Sequence, residues 1–146
     1  MKIINNPDKI LLTKLLQGIK VDNHTSGNAL AEALNLHIEA ISKEKILLKF
    51  DVGQQFTQGH GVIQGGIITA MLDFGGAFIG LANVADTKSV VTTNSSINYL
   101  RPAPIGIYYV EAKLEKIGEK MIFASANIYQ KVTKNIATAI FSMAVI

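Results

Sequence analysis

The chain contains no cysteine and no tryptophan, and only three prolines, in 146 residues. Without cysteine, disulfides and thiolate metal sites are excluded, and the composition suits a reducing compartment. Charged residues are few, at 17%. The net charge of +3 is mild, no run of Lys or Arg exceeds two, and no basic–aromatic cluster appears. That argues against nucleic acid as a partner and leaves room for an anionic ligand such as a polyphosphate. The opening residues, MKIINNPDKILL, show no signal-peptide hydrophobic region, so the expected location is the cytoplasm. There is no internal repeat and no low-complexity segment.

Hydrophobic residues are plentiful, at 49%. The length and this content read as one domain, 1–146, with a real core. The stretch around which it is organised is Gly65–Ala82, apolar on every side apart from Thr69 and Asp73. A helix apolar all round is either a membrane span or the centre of a core. Its length suits a span, and Gly76-x-x-x-Gly80 is a small-residue packing pattern. Asp73 at its middle makes insertion costly, no Lys, Arg or Trp belt marks its ends, and strand-like segments follow. It reads as a core helix, with no membrane partner.

Before it, Pro7–Lys20 has helical spacing of apolar residues and belongs to a helical extension over residues 1–34. His24 falls in a polar loop. Strands are expected over Asn35–Ile41 and Ile46–Val52, with Leu36, Ile38 and Ala40 alternating against His37, Glu39 and Ile41. A Gly- and Gln-rich loop leads to the helix, expected over Gly65–Asn83. Strands then run over Ser89–Leu100, Ile107–Ile117, Lys120–Val132 and Ile136–Val145, with Ile122, Ala124, Ala126 and Ile128 on one side of the third. The expected class is α+β: an antiparallel sheet of about six strands wrapped around one long helix, the hotdog architecture.

Burying a carboxylate is costly unless something offsets it, so Asp73 is the first candidate for chemistry. It shares a face with Thr69, Ala70, Gly76, Ala77 and Gly80. Small residues there suit close packing against a neighbour, or room beside Asp73 for a ligand chain or partner helix; both readings stand at this point. Gly65-Gly66 opens the helix, where free N–H groups can polarise a carbonyl. Gln58 and Gln64 lie just before it. Asp73 is eight residues beyond Gly65, about 12 Å along the axis, whereas reacting atoms meet at about 3–3.5 Å. One helix cannot bring both to one carbon. Two copies running oppositely can, which implies sites shared across a homodimer, alone or within a dimer-of-dimers homotetramer.

The run Gln58-x-x-Gly61-x-x-Gln64-Gly65-Gly66 followed by Asp73 resembles the PaaI-like acyl-CoA thioesterases of the hotdog superfamily, whose pattern is roughly N-x-x-G-x-x-H-G-G with a helical Asp or Glu after it. Thr92 to Ala103 (TTNSSINYLRPA) is similar to that family's T-x-x-x-x-x-x-Y/F-L-R-P-A strand. The resemblance covers about residues 35–145. It implies acyl-CoA hydrolysis, with Asp73 as general base or nucleophile, the Gly65 and Gly66 amides polarising the thioester carbonyl, and Gln58 and Gln64 orienting substrate or water. It implies further contacts from His60, Ala77 and Asn94, and CoA-phosphate contacts from surface cations such as Lys88 and Arg101. No cofactor and no metal are implied. Two departures stand out. Gln64 replaces a His and cannot carry a proton at neutral pH, and Ala77 replaces a Thr or Ser that holds water. They keep a rival reading open, a non-hydrolytic module that binds acyl-CoA. A dehydratase ranks last, since no His–Asp pair is evident.

Overall fold

The computed structural model describes residues 6–24 and 27–146. Its elements in chain order are α1 (Pro7–Leu16), α2 (Ala29–Ala33), β1 (His37–Ile41), β2 (Lys45–Val52), a 3-10 turn (Gln54–Phe56), α3 (Gly65–Ala82), β3 (Val90–Tyr99), β4 (Gly106–Ile117), β5 (Met121–Lys131) and β6 (Lys134–Val145). The six strands form one antiparallel sheet in the order β1-β2-β4-β5-β6-β3. The long helix α3 packs on β2 through β6. Met71, Leu72 and Ile79 of the helix, and Leu48, Val110, Ile122, Ile128 and Met143 of the sheet, are fully excluded from solvent. The expected architecture is therefore present, and the four alternate residues of β5 all face the core.

Several boundaries move for local reasons. α1 stops at Leu16, not Lys20, because Gly18 takes φ 71° and closes the end: Gly18 N–H donates to Leu15 O and Ile19 N–H to Lys14 O. This is the Schellman arrangement, which only a residue at ease with positive φ completes without strain. In β1 the alternation fails at its second half. A bulge between Ile38 and Ala40 leaves Ala40 exposed and turns Ile41 toward the core. His24 is not a free loop residue. It bridges to His37 across the edge of β1, the two rings meeting edge-on at 4.1 Å.

The glycines of α3 bear out close packing. A Cβ on Gly75 would lie 2.7 Å from Val110 of β4, one on Gly76 2.8 Å from Phe141 of β6, and one on Gly80 2.9 Å from Met143 of β6. These glycines bring the helix onto its own sheet, whereas Thr69, Ala70 and Ala77 on the same face as Asp73 stay half-buried. The loss of helix propensity, about 1 kcal/mol per glycine, is offset by this close packing.

The C-terminal end of α3 is sealed. Asn83 donates through Nδ2 to Ile79 O at 2.8 Å and through its backbone N–H to Gly80 O at 3.0 Å. Lys9 Nζ of α1 donates to Leu81 O at 2.9 Å, and Lys43 Nζ to Ala82 O at 2.7 Å. Lys9 also donates to Val84 O and is only 6% exposed. Burial lowers its pKa, partly opposed by Asp86 and reinforced by Lys43. Two ammonium groups at the negative end of the helix dipole add favourable electrostatics. α1 is thus tied into the core and is more than a surface extension.

Candidate active site

Asp73 projects from the middle of α3 and is half-buried. Its Oδ1 accepts a hydrogen bond from Thr92 Oγ1 at 2.8 Å. Thr92 reaches it because β3 carries a bulge between Thr92 and Asn94: Thr92 pairs with Met143, whose side chain is in the core, and Asn94 pairs with Ser142. In an unbroken ladder Asn94 would share the face of Thr92. The extra residue moves Asn94 to the outer face, where it borders a cavity of about 210 Å³ with Glu115, Phe123 and Ile140. Asn94 thus stands on the opposite face of β3 from Thr92. Ala77, one turn beyond Asp73, is half-buried and supplies no polar group. The hydroxyl that does meet Asp73 belongs to Thr92, a pairing that sequence reasoning did not single out. Its signal was the Thr at the head of the strand motif.

At the start of α3 the loop is tightly ordered. Gln64 N–H donates to Phe56 O and Ile63 N–H to Ala103 O. Gln64 takes the N-cap position with extended backbone but makes no side-chain cap. Ile67 and Ile68 N–H both reach Gln64 O. Among the described residues, neither Gly65 N–H nor Gly66 N–H has an acceptor. Gly66 is exposed, and a Cβ there would meet nothing within 4 Å. Two N–H groups without an acceptor thus stand at the positive end of a helix, Gly66 in open space and Gly65 half-buried against Tyr99, and such donors can stabilise a developing oxyanion. Tyr99 of β3 lies beside Gly65, its hydroxyl bonded to the Thr69 hydroxyl and to Gly65 O.

Gln58 is turned back on its own loop. Its Oε1 accepts from His60 N–H at 2.5 Å, within a turn closed by Gly61 at φ 77°. Gln58, His60 and Gln64 are all exposed on this side of the molecule. Two of the candidate cations for CoA phosphates, Lys88 and Arg101, lie at opposite ends of β3. Lys88 precedes β3 and Arg101 follows it, so about ten residues of strand, on the order of 30 Å, separate them. Arg101 Nη1 also donates to Asn135 O, which fastens it to the start of β6. No group of three or more potential metal ligands occurs among the described residues.

Within one chain, Asp73 and the Gly65–Gly66 amides stand eight residues apart on one continuous helix. Both lie toward β3, the edge strand of the sheet. That edge is long and uncovered: Val91, Tyr99 and Leu100 are about half exposed.

Comparison with known proteins identifies the family. The thioesterase superfamily matches residues 60–137, which include the glycine pair, Asp73, Thr92 and Tyr99. A solved structure from Ralstonia eutropha, provisionally named a thioesterase and a phenylacetic acid degradation-related protein, is 26% identical, with TM-score 0.79 over 92% of this chain and 98% of that one. The PaaI protein of the E. coli phenylacetic acid degradation operon is 18% identical and shares the fold, with TM-score 0.78 over 95% of this chain and 94% of its own. A protein of Saccharolobus solfataricus provisionally named an esterase is 29% identical over 89 residues, 61% of this chain and 63% of that protein. A second from the same organism is 24% identical over 96 residues, and the chain again spans 63% of its length. Sequence and fold thus agree, and the chain belongs to the thioesterase superfamily, with its hotdog fold.

Proposed function

We propose that this protein hydrolyses acyl-CoA thioesters to the free acid and CoA, as a homodimer or a dimer of dimers. The observation that carries the proposal is the pair of acceptor-free N–H groups at Gly65 and Gly66 on the same helix as a carboxylate held by Thr92. In each site, Asp73 of one copy removes a proton from water as that water attacks the thioester carbonyl carbon. The Gly65 and Gly66 amides of the other copy hold the oxyanion. The carbon–sulfur bond then breaks and the proton passes to the departing thiolate. Asp73 has one oxygen, Oδ2, with no partner among the described hydrogen bonds, so the carboxylate can accept a water while Thr92 fixes its plane. The uncovered edge of β3 supports the dimer, because an exposed edge strand of ten residues is a ready surface for pairing with a second copy.

The test is thiol release from a panel of short, long and aromatic acyl-CoA thioesters. Wild type is expected to hydrolyse at least one class, and Asp73→Ala is expected to lose about 10²–10⁴-fold in kcat, the range for a general base. Unchanged hydrolysis by Asp73→Ala overturns the assignment. Binding of every acyl-CoA with no thiol release by wild type would show a binding module instead.

A further inference from the structure

Gly66 N–H does not stand alone. It belongs to the peptide group whose carbonyl is Gly65 O, and that oxygen is the focus of two side-chain hydroxyls. Thr69 Oγ1 donates to it at 3.1 Å, Tyr99 OH lies 3.3 Å from it, and the two hydroxyls bond to each other. Each hydroxyl has one hydrogen, so only two of these three bonds form at once. The arrangement that uses both hydrogens in series runs from Tyr99 O–H to Thr69 Oγ1, and from Thr69 O–H to Gly65 O. The peptide then passes the polarisation to Gly66 N–H, since hydrogen bonds in a chain strengthen one another. The Tyr99 ring also lies flush with Gly65: a Cβ there would be 3.6 Å from Cε1. The strand motif admits Phe at this position as well as Tyr, so the hydroxyl is an addition to the aromatic that the motif asks for.

We propose that Tyr99 and Thr69 are positioning residues for the oxyanion donor: their hydroxyls fix and polarise the Gly65–Gly66 peptide, making Gly66 N–H a stronger donor to the thioester carbonyl. This rests on the reading of Gly66 as that donor. It assigns work to the half-exposed edge strand: Thr92 holds the carboxylate of α3, and Tyr99, seven residues on, holds its first turn.

The experiment compares Tyr99→Phe, Thr69→Val and Thr69→Ser with wild type in thiol release. It then records the infrared carbonyl band of carbonyl-labelled benzoyl-CoA bound to Asp73→Asn, with and without Tyr99→Phe. Removing an oxyanion donor itself costs about 10²–10³-fold, so a group acting through the donor is expected to cost about tenfold in kcat. KM should stay within about twofold, because ground-state contacts persist. Thr69→Ser should restore most of what Thr69→Val loses. The carbonyl band should move from its bound position back toward its position in water when the Tyr99 hydroxyl is removed. Tyr99→Phe keeps the ring against Gly65, and light scattering checks that the assembly is unchanged. Wild-type kcat in Tyr99→Phe with an unmoved band, while Asp73→Asn is inactive, overturns this inference alone. An active Asp73→Asn overturns the underlying reading and this inference with it.

Discussion

At its C-terminal end, α3 has a partner for each of its last four carbonyls: Asn83 on Ile79 and Gly80, Lys9 on Leu81, Lys43 on Ala82. At its N-terminal end, Gly65 and Gly66 N–H have none among the described residues. Both ends obey the same requirement that buried polar groups be satisfied. They differ in surroundings. The sealed end lies under α1, with Lys9 excluded from water. The open end is at the surface, beside an exposed edge strand. A helix finished with such care at one end and left open at the other separates stability from chemistry along a single element. The closed end holds the helix in place, and the open end leaves the donors to which the proposed hydrolysis assigns the thioester carbonyl.

The widest separation is expected from Gly66→Pro. Proline is accommodated in the first turn of a helix because the N–H it removes has no helical partner. Thiol release should fall about 10²–10³-fold, the cost of one oxyanion donor, while the denaturation midpoint hardly moves. Lys9→Met should do the reverse. It leaves Leu81 O and Val84 O uncovered, for a loss of about 1–3 kcal/mol in chemical denaturation, with kcat per folded molecule unchanged. Gly76→Ala tests the middle of the helix. Alanine is the better helix former, yet its Cβ would sit 2.8 Å from the Phe141 ring. A net loss of about 1–3 kcal/mol is expected from overpacking, whereas a gain would mean that the helix–sheet contact yields easily.

The smallest effect concerns pH. Burial lowers Lys9 below its ordinary 10.5, so in the window just under 10.5 the unfolded chain binds more protons than the folded one. Stability from this group therefore rises with pH through that window, and Lys9→Met should lose the rise. Tyr108, fully buried and raised by burial to about 12, works the other way. Its contribution is complete below about pH 10 and is lost as pH climbs toward 12. Denaturation curves of Lys9→Met and Tyr108→Phe between pH 9 and 12 separate the two.

Much of this was legible in the sequence because it rests on local pattern. The strand count, the all-round apolar helix and the lone carboxylate follow from periodicity and composition, and Gly65-Gly66 before a helix marks its open end. What was not legible depends on register and on distant partners. Thr92 meets Asp73, and Asn94 faces the other way, because one extra residue sits at Thr93, and a bulge leaves no mark in the spacing. What Gly76 and Gly80 pack against is not visible in sequence, and only the structure shows it to be Phe141 and Met143. Lys9 reads as a surface residue of an amphipathic helix, yet its target carbonyl lies 72 residues away. His24 and His37, each unremarkable alone, meet only through a bridge.

The claim at the centre is that the open end of α3 and its Asp73 serve different sites, each completed by a second copy. Mixing two inactive variants tests it directly. Asp73→Asn retains the amides and Gly66→Pro retains the carboxylate, so each mixed dimer contains one site with both groups intact. After co-refolding of equal amounts, about a quarter of wild-type thiol release should return, because half the dimers are mixed and each has one working site of two. If the two groups serve one site within a chain, the mixture will show no more activity than the two variants apart.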